Sequence, residues 1–173
     1  MSQMLPQDVL VAVRLLKAGP KWTFESLGAD VGISASQCHM SVGRLVNSRL
    51  VDEQTMVTIK GSLLEFLVHG VKYVFPCRPK DEHEIVLGLP TAHSHPIWKG
   101  RLVSPTQEKF VWEHPGGKTR GKKVTPIYKT VPDAAKDKDI CQIFAVLDSI
   151  RLGHARERDE AESLLKKLIY ETN

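Results

Sequence analysis

GADVGISASQCHMSVGRLV, residues 28–46, joins a glycine-closed turn to a run of helical periodicity whose outer positions are small or polar. Gly32 suits the positive φ that ends one helix, Ile33 plugs the turn, and Ser34 is a good N-cap for the next. In that next helix Cys38, Val42, Leu45 and Val46 recur at the spacing of one inward face. Ser36, Gln37, His39, Met40, Gly43 and Arg44 fall on other faces, where a helix packed on both sides would carry bulk. A helix lying in a DNA major groove needs that lean exterior, with short or hydrogen-bonding side chains near its N-terminus where base edges are reached.

Outward from this stretch, residues 6–18 place Val9, Leu10, Val13 and Leu16 on one helical stripe, opened by Pro6 and closed by Gly19-Pro20. Thr23 caps a short second helix that turns Phe24, Leu27 and Val31 inward. After the polar residues 52–55, TIKGSLLEFLVHGV (58–71) repeats Ile59, Leu63, Phe66, Leu67 and Val71 at helical spacing and predicts a fourth helix.

The character changes at residue 72. KYVFPC (72–77), EIVLGLP (84–90), GRLV (100–103), KFVW (109–112) and KVTPIY (123–128) read as short strands between Pro, Gly and charged turns. EHPGGKTRGKK (113–123) reads as a hairpin tip or basic loop. DKDICQIFAVLDSIRLG (137–153) and HARERDEAESLLKKLIYE (154–171) predict two closing helices, the first with Ile140, Ile143, Phe144, Leu147 and Ile150 on one stripe. The expected fold class is therefore α+β, with a helical unit at 1–71 and a mixed strand and two-helix region at 72–173.

Residues 22–51 resemble the helix-turn-helix of winged-helix bacterial transcriptional regulators of the multiple-antibiotic-resistance-regulator type. The resemblance is carried by Leu27, Val31, Gly32, Ile33, Ser34, Cys38, Arg44, Leu45 and Leu50-Val51. It implies a double-stranded DNA-binding regulator, with the 72–173 region serving dimerisation, sensing or partner binding. The phrases LLEFLVHGVKYVFP (63–76) and VLDSIRLGHARER (146–158) are similar to a loosely characterised group of bacterial proteins with such an N-terminal module, a likeness that implies no activity. Gly28 stands where the motif commonly has alanine, which loosens the second helix by up to about 1 kcal/mol while still allowing close packing. Residues 52–60 are short for a wing hairpin, so the wing is expected to be rudimentary or supplied by later strands.

The candidate DNA contacts are Thr23, Ser34, Ser36, Gln37, His39, Met40 and Arg44, with Lys118, Arg120, Lys122 and Lys123 as an accessory phosphate grip. Ser34 and the first-turn amides suit a phosphate, Gln37 an adenine, Met40 a thymine methyl, and Arg44 the backbone. No acid interrupts residues 34–51. The formal net charge is only +4, but residues 99–129 hold eight basic side chains against Glu108 and Glu113, enough to attract a polyanion.

Three widely spaced cysteines without a CxxC pair read as reduced thiols, and the patchy N-terminus as neither signal peptide nor membrane span, so the expected location is the cytoplasm. No GxSxG or phosphate-binding glycine loop is present, and no enzyme activity or cofactor is expected. The best metal set, Cys77, His83, His93 and His95, matches no strong zinc spacing and reads as ordinary histidines. Cys38 and Cys141 read as small core residues, Trp98 and Trp112 and the KYVF aromatics as core or strand anchors. Operator symmetry would favour a homodimer. The alternative function is an antitoxin-like partner that neutralises a neighbouring enzyme and represses its own promoter, as in some helix-turn-helix proteins of abortive-infection systems.

Overall fold

A computed structural model describes residues 3–19, 21–77, 84–101, 108–152 and 158–171. Pro20, His83, residues 102–103 of GRLV and residues 153–157 of the closing-helix readings lie outside the described residues.

Three helices open the chain: α1 (Pro6–Leu15), α2 (Phe24–Val31) and α3 (Ala35–Asn47). Each start has a local cause. Pro6 occupies the first turn of α1, and the Asp8 carboxylate accepts the Leu5 N–H at 2.7 Å. Thr23 caps α2 and is capped in return by Ser26, while Ser34 and Gln37 form the reciprocal pair that opens α3. Between them Gly32 takes φ +74°, and a Cβ on Gly28 would stand 2.8 Å from the Ile33 carbonyl oxygen. The glycine at 28 thus serves the close approach of the turn to α2.

The end of α3 is less relaxed. Arg49 adopts φ +57°, with its N–H on the Val46 carbonyl and the Leu50 N–H on the Leu45 carbonyl, a Schellman termination with arginine in the usual glycine position. Arg49→Gly is therefore expected to raise stability by about 0.5–1 kcal/mol, allowing for the extra freedom of the unfolded chain, and a urea melt would show it as a higher midpoint.

A one-turn hairpin follows. Val51 pairs with Thr58, Asp52 N–H reaches the Val57 carbonyl, and the Thr58 hydroxyl donates to the Ala12 carbonyl of α1 at 2.9 Å. The fourth helix is continuous in direction but not in type: α4 (Lys60–Glu65), a π-helical turn over Phe66–Gly70, then α5 (Val71–Val74). Helix thus replaces the strand expected at 72–77, and Tyr73 is 77% exposed rather than an anchor. The helical stripe ending at Val71 simply carries through, with Phe75 N–H still bonded to the Val71 carbonyl.

The sheet is small: β1 (Ile85–Pro90), β2 (Phe110–Glu113) and β3 (Thr119–Lys123) close on one another, β1 antiparallel to both of the others. Of the stretch read as a hairpin tip or basic loop, Glu113 ends β2, 114–118 is the turn between β2 and β3, and the rest is β3, whose residues 119–122 pair one for one with Ile85–Gly88. KVTPIY continues past the strand as irregular chain, its Val124 N–H on the Val111 carbonyl. Pro126 has no N–H to give a ladder, and the pairing stops short of it at Lys123.

After a short α6 (Val131–Ala134), α7 (Lys138–Leu152) runs through the core and α8 (Arg158–Glu171) packs on it through Ala161, Leu164, Leu165 and Ile169. The expected stripe of α7 is buried, and so are Ala145, Val146, Asp148, Ser149 and Arg151 on its other faces. Its polar pair is tied to other parts of the core. Asp148 accepts from Arg151 Nη1 at 2.6 Å, Trp112 Nε1 at 2.6 Å and Thr91 Oγ1 at 2.9 Å, while Arg151 Nε reaches the Phe75 carbonyl. Burial pushes the Asp148 carboxyl up, against the pull of Arg151 and its two other donors. Helices and a three-stranded sheet make the chain α+β, and among the described residues no helix is long and apolar enough to cross a membrane.

Candidate nucleic-acid interface

The inward positions of α3 are filled as the spacing demands: Cys38, Val42 and Leu45 are buried and Val46 is half-buried. Ser34, Ser36, Gln37, His39, Met40 and Gly43 are exposed, with Met40 at 52%. Thr23 is also exposed, at the start of α2. The candidate residues of the α2–α3 unit thus occupy accessible surface, with a single exception.

Arg44 is not on that surface. Its guanidinium turns inward and grips the fully buried Asp8, Nε to Oδ2 at 2.8 Å and Nη2 to Oδ1 at 2.7 Å. The hydrogen bonds to Asp8 hold the Arg44 guanidinium even further into its charged range. Buried, and with Nε and Nη2 forked onto a carboxylate, Arg44 is turned away from the exposed face where a backbone contact was expected. Asp8 carries no periodicity signal of its own in the sequence, and only its place at the third residue of a helix hinted at a partner.

Gln37 has a second duty as well. Its Oε1 accepts the Ser34 N–H at 3.1 Å and lies 3.2 Å from the Ser34 hydroxyl, which in turn accepts the Gln37 N–H. Reading adenine would require this cap to open, whereas Ser36, His39 and Met40 take no part in it. His39 is steadied from the side. Phe24 meets it edge-on at 4.9 Å between centroids, and Trp22 meets Phe24 at 5.2 Å, an array tying the start of α2 to the exposed face of α3.

The electrostatics of the face come from its own composition. No acid lies on α3, and Asp30 on α2 is neutralised by Arg14 at 2.7 Å. The hairpin tip is different: Asp52 accepts from the Thr55 hydroxyl and N–H, which hold its carboxyl below the usual range, and Glu53 beside it is exposed. A tip bearing two carboxylates is unsuited to phosphates. The hairpin rests on the single Val51–Thr58 bridge, and its tip lacks the positive charge of a backbone-gripping element.

The accessory basic cluster is divided by the sheet. Lys122 pairs with Glu108 at 2.7 Å, and Lys123 with Glu113 at 2.5 Å and Glu84 at 3.4 Å, so neither is a free cation. Lys118 and Arg120 are exposed. Neutralising Lys118 and Arg120 is accordingly expected to flatten the salt dependence of DNA binding by up to about 0.9 for each phosphate no longer neutralised, with Lys122→Gln and Lys123→Gln leaving the slope where it was. Titrations at several salt concentrations would separate the two pairs, and equal slopes for both would remove β3 from the interface.

The histidine and cysteine side chains do not converge. Cys77 faces the Thr125 carbonyl, His93 packs edge-on against Phe110, and His95 lies beside Cys141, with Nε2 and Sγ 3.5 Å apart. His95 Nδ1 accepts the Ile97 N–H, which leaves the proton on Nε2, facing sulfur, and burial keeps the ring below its ordinary range. Burial also pushes the Cys38 and Cys77 thiols up to about 11, so both stay protonated at neutral pH. Cys38 is a core residue as expected, whereas Cys141 is only half-buried, in a shallow groove against His95. Among the described residues no group of three or more His, Cys, Asp or Glu is placed to hold a metal ion.

Comparison of the chain with protein-family models, with curated proteins and with solved structures finds no match.

Proposed function

We propose that the chain is a sequence-specific regulator that binds double-stranded DNA through a helix-turn-helix, with α3 in the major groove and a vestigial wing at residues 50–59. The observation that carries this reading is the face of α3: Ser36, His39, Met40 and Gly43 are exposed, acid-free and lean, on a helix whose other side is anchored in the core. An exposed face of that composition matches the demand of base-edge contact near a helix N-terminus. The exposed amides of the first turn, at Ala35 and Ser36, add a phosphate seat at the positive end of the helix dipole. The Schellman end and reciprocal N-cap support the same role, because a reading helix must not fray at either end.

A second reading is favoured by exposed apolar side chains elsewhere on the chain. Tyr73 and Val74 on α5 and Ile85 and Leu87 on β1 are exposed apolar side chains, which suits a protein partner such as the enzyme of the antitoxin-like alternative. One selection tests the DNA reading itself. Incubating the protein with random duplexes and a length-matched RNA competitor, then sequencing the retained fragments, is expected to yield an enriched duplex motif. Retention without enrichment, or preference for the RNA, would remove sequence-specific DNA reading and leave partner binding in its place.

A further inference from the structure

We infer that Asp8 is a positioning residue for the reading face, its buried carboxylate setting the rotation of α3 about its own axis by holding Arg44 in a two-bond fork. The inference rests on the DNA-reading role proposed above. Its geometry does not.

On α3 the buried apolar side chains Cys38, Val42 and Leu45 make up the inward arc, and apolar contact is non-directional. Such an arc tolerates a turn of about 20° with little loss of buried area. At a side-chain radius of about 5–6 Å, that turn moves each outward side chain by about 2 Å. A hydrogen bond tolerates only about 0.5 Å. Something directional must therefore fix the angle if the outward side chains are to find base edges.

The clamp between α1 and α3 has that property. Arg44 lies one turn beyond Met40, at the border between the inward and outward faces, and its planar fork meets both oxygens of Asp8. The same Asp8 Oδ2 accepts the Leu5 N–H at 2.7 Å, which locks the carboxylate to the first turn of α1. Ser41, fully buried, receives Arg44 Nη2 at 3.1 Å on one side and Gln7 Nε2 at 3.1 Å from α1 on the other. Two residues of α1 thus hold two residues of α3 by directional bonds. Every donor and acceptor named here is matched, so any rotation of α3 breaks several at once.

A clamp that only added stability could be replaced by apolar side chains of similar volume, since a buried ion pair is often no more stabilising than such a substitution. The test uses the full chain carrying Asp8→Leu together with Arg44→Met. The expected result is a melting temperature at or above that of the parent, with affinity for the selected duplex at least tenfold lower. Binding to random duplex, and its salt slope, should stay the same. Parent-like affinity for the selected duplex would overturn the inference, and a salt slope reduced by the equivalent of one phosphate would return Arg44 to the DNA.

Backbone amide spectra of the free protein decide the matter without DNA. The double variant is expected to broaden or duplicate the signals of Ser36, His39 and Met40 while those of α7 remain single. Sharp, single α3 signals in the variant would sink the clamp whatever the selection shows, and failure of the parent to select any duplex would sink the DNA reading alone. Arg44→Lys covers the case in which the double variant does not fold, because it keeps the charge but loses the fork.

Discussion

Asp148→Ala is expected to lower the stability of the chain by about 3–5 kcal/mol, seen as a lower urea midpoint with an unchanged slope. The side chain is only 2% exposed in the middle of α7 and serves three donors at once, Arg151, Trp112 and Thr91. Alanine leaves the Arg151 guanidinium buried with the Phe75 and Thr125 carbonyls but no carboxylate among its described partners, and it takes the acceptor from the Trp112 indole N–H. Each orphaned buried group costs about 1–3 kcal/mol and the unmatched charge more. Asp148→Asn keeps one acceptor oxygen and the volume, so its cost should be about half as large. A whole domain is stable by about 5–15 kcal/mol, which makes the alanine variant marginal at best. Equal costs for the two substitutions would show that shape, not hydrogen bonding, holds this part of α7.

Helix existence was legible wherever caps and periodicity agreed. Thr23, Gly32 and Ser34 are local signals, settled within a few residues of chain, and the structure places α2 and α3 where they point. The stripe of α7 was legible for the same reason, but its complete burial was not. Asp148 and Arg151 interrupt the helix in sequence as surface charges would, and only the arrival of Trp112 from β2 and Thr91 from beyond β1 makes them core. Arg44 departs from expectation by the same mechanism, since a long side chain at the edge of an apolar arc can turn either way, and a partner 36 residues distant decides it. In the second half the short apolar runs carried no period long enough to separate strand from helix. KYVFPC therefore went to α5, and the basic stretch gained its strand from pairing with Ile85–Gly88 rather than from any propensity of its own.

The site itself was legible in a narrower sense. What could be read was which side chains of α3 would be left over after the core had taken its share, and the exposed set is that remainder minus Arg44. What could not be read was the second occupation of Gln37, because a cap that closes on its own helix start looks in sequence like a free reader of bases. The consequence is that the expected base contacts pass from Gln37 to its neighbours in the first two turns of the helix. Ser36, His39 and Met40 rather than Gln37 are the places where substitution should matter most.

Reversing the character of that face is the sharpest consequence. The pair Ser36→Glu and His39→Glu is expected to weaken binding to the selected duplex at least a hundredfold while leaving the melting temperature nearly unchanged. Both side chains are exposed, and an added carboxylate in the first turn of α3 favours the helix dipole, so stability has little reason to fall. Binding has every reason to. Two carboxylates would be brought against phosphates and base acceptors on a face that now holds none, and like charges forced together across an interface cost several kcal/mol. A hundredfold loss corresponds to about 2.7 kcal/mol, well within that cost. Alanine at Ser36 or Met40 should act more mildly, by about 1–3 kcal/mol and only at the base pair each one faces. Lys166→Glu with Lys167→Glu on α8 changes the net charge further but lies on an exposed face of another helix, and it should shift affinity by a few-fold through the long-range field alone. Fluorescence anisotropy at one salt concentration, with melts of the same samples, distinguishes the two surfaces: comparable losses from both would reduce the effect to net charge, and an unchanged affinity from the α3 pair would mean that this helix does not meet the duplex.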